Sequence, residues 1–299
     1  MSGENLKYKL KGNESFTVRE GWLNKGITAI LNNPYVFSAS NAMDELGMGS
    51  KMVKSLKYWL LTTGLCEERR DKKSKHFLQL TSDLGEIIEE HDKYFEDVFT
   101  LWILHYNIVT KYETCTIWNL FFNCFNAEDF SKESLVNRMN NEFIIRFNNN
   151  NLIKSITDDC GVLLKMYVES EKNLEDPEDN LSSPFSELGL VQKNGKGKYR
   201  KEKPFKDNLD RLAVLYVMLS RLSDDKKGIS IEDLVENKNN IGKVFNLDRN
   251  LVIDYMDQLR QEKYIVLNRT AGLDMVYFRE DISPVDVLLD YYSEIERDD

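Results

Sequence analysis

SASNAMDELGMGSKMVKSLKYWLLTTGLCEERRDKKSKHFLQL, residues Ser38 to Leu80, carries two helix signals and two strand signals in a fixed order. Ser40 to Leu46 reads as a short helix stopped by Gly47. A tight Met48-Gly49 turn follows, with Ser50 placed to cap a longer helix that ends near Gly64. Leu65-Cys66 reads as the start of a strand. A charged loop then leads to a second strand over His76 to Leu80. Helix, turn, helix and a two-stranded ribbon form the order of a winged helix-turn-helix, which sets one helix face and one hairpin tip against a duplex.

The residues before this stretch supply the missing first helix. Trp22, Leu23, Ile27, Ile30 and Leu31 recur at helical spacing, and Asn32-Asn33-Pro34 ends the run. Within Ser50 to Thr63, at about 100° per residue, Met52, Val53, Leu56, Trp59 and Leu60 share a core-facing arc. Ser50, Lys51, Lys54, Ser55 and Tyr58 fall on the opposite arc, the side predicted to enter a groove. The wing is expected over Glu67 to Lys75. There Arg69, Arg70, Lys72, Lys73 and Lys75 outnumber Glu67, Glu68 and Asp71, a composition suited to holding phosphates.

Charge distribution agrees with that polarity. The 299-residue chain has a net charge of −10, yet its first 80 residues hold thirteen Lys and Arg against eight Asp and Glu. A basic end on an acidic body fits one surface for phosphate and another for partner proteins, through the acidic central or C-terminal region. No apolar run reaches the roughly 20 residues a bilayer needs. MSGENLKYKL lacks the apolar stretch of a signal peptide, so a cytoplasmic location and no membrane contact are expected.

Further along, Asp92 to Tyr112, Thr116 to Phe125, Ser131 to Phe147 and Ile153 to Val168 read as four helices of a central bundle. Glu169 to Asp179 is acidic and reads as a linker. Gln192 to Tyr199 (QKNGKGKY) reads as a Gly- and Lys-rich hairpin, not a phosphate loop, because no Gly-Lys-Ser/Thr follows. Asp207 to Leu222 is an amphipathic helix. After a turn at 224–228 come a short helix at Ser230 to Val235 and a longer one at Asp248 to Lys263. Strands at Tyr264 to Asn268 and Met275 to Phe278, around a Thr270-Ala271-Gly272 turn, then repeat the winged-helix order. Here Arg249 and Arg260 are offset by Asp254, Asp257, Glu262 and Asp274, so a protein contact is favoured over phosphate.

The expected fold class is therefore mainly α, in effect all-alpha. The expected divisions are 1–90 (N-terminal winged helix-turn-helix), 91–175 (central helical bundle), 176–225 (connecting hairpin and helix) and 226–299 (C-terminal winged-helix-like domain).

Little in the chain points to catalysis. Cys66, Cys115, Cys124 and Cys160 form no CxxC pair and read as buried small hydrophobes. His76 falls in the wing, His91 closes a helix, and His105 sits in the most apolar helix, where a hydrogen-bonded core role is expected. The pairs Glu96-Asp97, Asp158-Asp159 and Glu178-Asp179 lack the mixed sheet and lysine of a metal-dependent nuclease. A non-enzyme without metal or cofactor is expected, with double-stranded DNA as its ligand. The competing reading is a scaffold or regulatory subunit whose winged helices touch only proteins.

Several strings resemble the bacterial DUF4007 family: FTVREGWLNKG (Phe16 to Gly26), LGMGSKMVKSLKYWL (Leu46 to Leu60), and LTSDLGEII running to YFEDVFTLWILHY (Leu80 to His105). WNLFF (Trp118 to Phe122) and EDNLSSPFSELGL (Glu178 to Leu190) continue the likeness. That resemblance implies a DNA-modification setting, beside DNA phosphorothioation or phage-defence genes and proteins similar to phosphoadenosine-phosphosulfate reductases. It implies no molecular activity and no catalytic residues. Where the family leads one to expect a cysteine before the proline of the last string, this chain has Ser183.

Overall fold

The computed structural model describes residues 7–149, 151–169, 182–205, 208–222, 228–270, 273–279 and 281–298. Most of the expected acidic linker, with Glu178 and Asp179, lies outside them. So do Asp207, turn residues 224–227 and Ala271-Gly272. The chain divides into two compact units, Met1–Glu202 and Lys203–Asp299. The divisions expected after residues 90 and 175 fall inside the first unit, and that after 225 inside the second.

The first unit opens with α1 (Trp22–Asn32), whose Trp22, Leu23, Ile27 and Ile30 are buried as their spacing requires. A 3₁₀ turn at Val36–Ser38 leads to α2 (Ala42–Leu46). Gly47 ends α2 at φ 59°, a left-handed conformation that costs a glycine little. Next comes α3 (Ser50–Thr62). Ser50 is its first helical residue rather than its cap: extended Gly49 takes the cap position, with no side-chain cap bond. β1 (Cys66–Arg70) and β2 (His76–Leu80) pair antiparallel from Cys66↔Leu80 to Arg70↔His76. Half of the expected loop is thus strand, and the wing tip shrinks to residues 71–75. The Leu78 amide also donates to Pro34 O at 2.9 Å, so the α1–α2 connection runs beside β2.

α4 (Gly85–His91) follows, with Leu84 at its N-cap and no side-chain cap bond, while the Thr81 hydroxyl accepts the Gly85 amide at 3.0 Å from four residues upstream. α5 (Val98–Thr110) is buried on nearly every side, the mark of a central helix. Around it lie α6 (Thr116–Cys124), α7 (Lys132–Phe147) and α8 (Ile153–Tyr167). Trp59, Trp102, Trp118, Phe121, Phe122 and Tyr167 are fully buried, and Trp59 meets Trp118 edge-on at 5.5 Å. The helix-turn-helix and the bundle share one core, which is why no unit boundary separates them.

The mainly-α, all-alpha expectation is wrong. Helix accounts for 54% and strand for 12% of a mixed α/β fold with three small antiparallel sheets. β4 (Val191–Lys193) and β5 (Lys198–Lys201) are the expected connecting hairpin, and β3 (Asp129–Ser131), from the expected helical bundle, joins them in a sheet ordered β3-β5-β4. The second unit has α9 (Arg211–Ser220), β6 (Gly228–Ser230), α10 (Ile231–Glu236), α11 (Ile241–Val244), α12 (Arg249–Gln261), β7 (Ile265–Thr270), β8 (Leu273–Phe278) and α13 (Pro284–Asp298). Its sheet runs β6-β8-β7. β3 and β6 are three residues long, too short for alternation to show.

A consequence is visible in chain order. α6, β3, α7, α8 and the β4–β5 hairpin repeat the succession α9, β6, α10, α12 and the β7–β8 hairpin. In both, the lone strand pairs with the second hairpin strand. The middle of the chain is itself a winged-helix arrangement.

Its small sheet is clamped by Asp129. The carboxylate accepts both Arg200 Nε and Nη2 at 2.8 Å and Asn194 Nδ2 at 2.5 Å. Arg200 and then Asn194 hold its pKa at about 2, below the usual 3.8. Because the folded value is the lower one, this stabilisation is complete above the unfolded pKa and disappears as pH falls through 2. Urea midpoints of wild type should therefore decline through that window more steeply than those of Asp129→Asn. Parallel acid profiles for the two proteins count against the clamp.

Candidate nucleic-acid interface

Side chains on α3 divide sharply. Ser50, Lys51 and Lys54 are exposed. Lys57 is turned to the wing, where it meets Glu68 Oε1 at 2.5 Å; His76 Nδ1 lies 3.3 Å from the same oxygen. Ser55 and Tyr58, expected on the groove side, are buried. The Ser55 hydroxyl points to Phe16 O at 3.5 Å, and the Tyr58 hydroxyl donates to Thr114 O at 2.9 Å. Neither reaches a duplex.

The cause is the segment of residues 7–16, which lies over that side of α3. The Lys9 amide donates to Thr116 Oγ1 at 3.0 Å. Asp159 of α8 accepts the Lys11 amide at 2.9 Å and Asn13 Nδ2 at 3.0 Å. Trp59 Nε1 donates to Phe16 O at 3.0 Å. Gly12 lies so close to the Tyr58 ring that a Cβ there would come within 2.4 Å of it. KYKLKGNESF has neither helix nor strand period, so its covering role leaves no periodic trace in the sequence.

Asp71 organises the wing tip. It accepts the backbone amides of Lys73 (2.8 Å) and Lys75 (2.9 Å) and the Tyr35 hydroxyl (3.1 Å). The Lys75 amide, more than any other partner, holds the Asp71 pKa below the ordinary carboxylate value. Lys75 Nζ sits 4.7 Å from the centre of the Tyr35 ring. Arg69 forks onto Glu67 Oε1 at 2.9 and 2.7 Å while staying exposed. Arg70, Lys72 and Lys73 project from the surface and form no ion pair among the described residues. Of the ten residues expected at the site, the structure leaves Ser50, Lys51, Lys54, Arg70, Lys72 and Lys73 open, Arg69 and Lys75 engaged but accessible, and Ser55 and Tyr58 enclosed. Asp44 and Glu45 on α2 add exposed negative charge to the same motif.

Groups with catalytic potential are engaged structurally. His105 is fully buried, its Nδ1 2.7 Å from the Tyr167 hydroxyl. Burial pushes the Cys66 thiol up to about 12, and those of Cys115 and Cys160 upward as well, far from a reactive thiolate. Asp97 caps α5 through the Phe99 amide (2.8 Å), and Asp158 pairs with Lys11 Nζ at 2.8 Å. No group of three or more His, Cys, Asp or Glu among the described residues is placed to hold a metal ion. On α12 of the second unit, Arg249 and Arg260 are matched by Asp274 (3.6 Å) and Asp257 (3.1 Å).

Ser183 is also buried, and its hydroxyl finds no hydrogen-bond partner among the described residues. A thiol tolerates that setting better than a hydroxyl. Ser183→Cys is expected to raise stability by about 1 kcal/mol, seen as a melting point roughly 2–4 °C higher. A lower melting point would show that the hydroxyl is satisfied.

No helix among the described residues is long and apolar enough to cross a membrane. No curated protein matches the chain. Two solved structures share its fold. One, described as a magnesium ion-bound SspB crystal structure, has a TM-score of 0.83 and 22% identity, covering 97% of this chain and 88% of that one. The other, an SspB crystal structure, has a TM-score of 0.83 and 23% identity with the same coverage. The profile described as protein of unknown function (DUF4007) matches residues 10–292. That match runs through the helix-turn-helix, the middle winged helix and the second unit alike, and the chain belongs to the DUF4007 family.

Proposed function

We infer that this chain is a non-catalytic DNA-binding component, which meets the duplex through its N-terminal winged helix. One observation carries the reading: Lys51, Lys54, Arg70, Lys72 and Lys73 stand exposed on that motif, without a carboxylate partner among the described residues, in a chain of net charge −10. Phosphate contacts from such side chains supply affinity and set the register of α3. The setting proposed is a cytoplasmic DNA-modification or phage-defence system, as the family resemblance implies. Support for a non-catalytic role comes from the buried His105 and the raised thiol pKa values.

A fluorescence titration of labelled duplex at several salt concentrations tests this. Log affinity should fall linearly with log salt. Replacing Arg70, Lys72 and Lys73 with alanine should flatten the slope by about 2–3, near 0.9 per lost phosphate contact. Salt-independent binding, or no binding, rejects the reading. Its non-catalytic part is tested separately. Supercoiled plasmid incubated with the protein and magnesium should stay supercoiled, and conversion to open-circle or linear DNA overturns it. Magnesium is chosen because one SspB structure is described as bound to it. The described residues offer it no three-ligand cluster.

For the second unit, a protein contact is the better reading. Its α12 cations are matched by acids, and Val266 (66% exposed) and Tyr277 (37%) are cross-strand partners that leave an apolar patch on the hairpin. Pull-down with the products of neighbouring genes should yield a partner that Val266→Glu releases while DNA binding persists.

A further inference from the structure

We propose that the middle winged helix, α6 to β5, forms a second site for the duplex DNA backbone, built from its own wing and the exposed face of α8. The proposal shares with the preceding one only the identity of the ligand. Its first support is topological. The sheet ordered β3-β5-β4 makes the Gly- and Lys-rich hairpin a wing, following α8 in the position that β1–β2 occupies after α3.

The hairpin is held in place to present charge. Asn194 and Arg200 both bind Asp129 on the neighbouring strand, and the Asn194 amide donates to Lys198 O at 3.0 Å. Gly195 (φ 86°) and Gly197 (φ 69°) turn the tip in conformations that side chains resist. Tyr199 stacks on Phe130 at 5.8 Å on the inner face. Lys196 and Lys198 are left exposed at the tip with no ion pair among the described residues, while Arg200 forms the salt bridge to Asp129. A tip that is already ordered loses little entropy on meeting a phosphate.

α8 extends the same charge. Lys154, Gly161 and Lys165 lie seven and four residues apart, on one side of the helix, and both lysines are exposed. Asp158, between them, is neutralised by Lys11. Lys132, at the start of α7, brings its Nζ within 2.9 Å of where a Cβ on Gly161 would sit, so a third exposed cation covers the glycine. Glu128 beside β3, Glu133 on α7 and Glu169 just past α8 are exposed acids of the same region, fewer than its exposed cations Lys132, Lys154, Lys165, Lys196 and Lys198.

The test compares two variants of the full chain, Lys196→Ala with Lys198→Ala, and Arg70→Ala with Lys72→Ala and Lys73→Ala. Each is titrated with one labelled mixed-sequence duplex across a salt series, and melting curves check that each remains folded. The middle-wing variant is expected to lower the log–log slope by about 2, independently of the other. If it titrates like wild type while the N-terminal variant loses slope, this proposal fails and the N-terminal site stands. If only the middle-wing variant loses slope, this proposal holds and the N-terminal assignment fails. No binding by wild type ends both.

Discussion

Gly85→Ala is expected to lower the melting temperature by roughly 6–12 °C, corresponding to about 3 kcal/mol of overpacking in a unit of this size. A Cβ on Gly85 would sit 2.0 Å from the carbonyl oxygen of Leu65, and 3.3 Å from Leu80 Cβ. Leu65 O is a backbone atom that also accepts the Thr81 amide at 3.1 Å, so it has no room to swing aside. Either α4 or the base of the wing must move. Gly12→Ala should cost less, because the atoms it meets are side-chain atoms of Tyr58 and Lys9 rather than backbone. Gly49→Ala should cost less still, under about 1 kcal/mol: nothing lies within 4 Å and its φ of −63° is open to alanine, so only the poorer capping by alanine is felt. Thermal unfolding of the three variants checks the ranking. A Gly85→Ala protein that melts with wild type would falsify the close approach of α4 to the wing base.

Asp159→Ala should cost about 3 kcal/mol and release the segment that covers α3. Asp159 is 2% exposed, and its carboxylate serves the Lys11 amide and Asn13 Nδ2. Burial raises its pKa above 3.8 while those two bonds oppose the rise, so the site holds a costly group for the sake of its donors. Removing the acceptor strands both donors in a buried setting. Amide exchange at Lys9, Lys11 and Ser15 should accelerate together. The tyrosine emission and solvent exposure of Tyr58 should rise with them. Unchanged protection at Lys11 means that other contacts anchor the segment and that Asp159 is incidental.

Gly47, Ser131, Asp248 and Pro34 act where local chemistry alone decides. A left-handed turn needs glycine, and the Ser131 and Asp248 side chains cap α7 and α12 as their positions suggest. The Ser50 cap was misplaced by one residue because glycine serves as a cap too, without leaving a side-chain mark. The buried roles of His105, Cys115 and Cys160 followed from the apolar residues around them. β3 and β6 leave no trace in the sequence because three residues carry no period, and a strand of that length exists only through its pairing.

From the chain alone came the helix spacing, the turns, the basic wing and the family, because these depend on neighbours a few residues apart. Folding decided that Ser55 and Tyr58 are enclosed, that Arg69 and Lys57 are spent on Glu67 and Glu68, and that the QKNGKGKY hairpin is a wing. Apart from Arg69 with Glu67, two residues away, those outcomes join positions well separated in the chain, as Asp159 joins Lys11 and Asp129 joins Arg200, and a contact of that kind has no local signature.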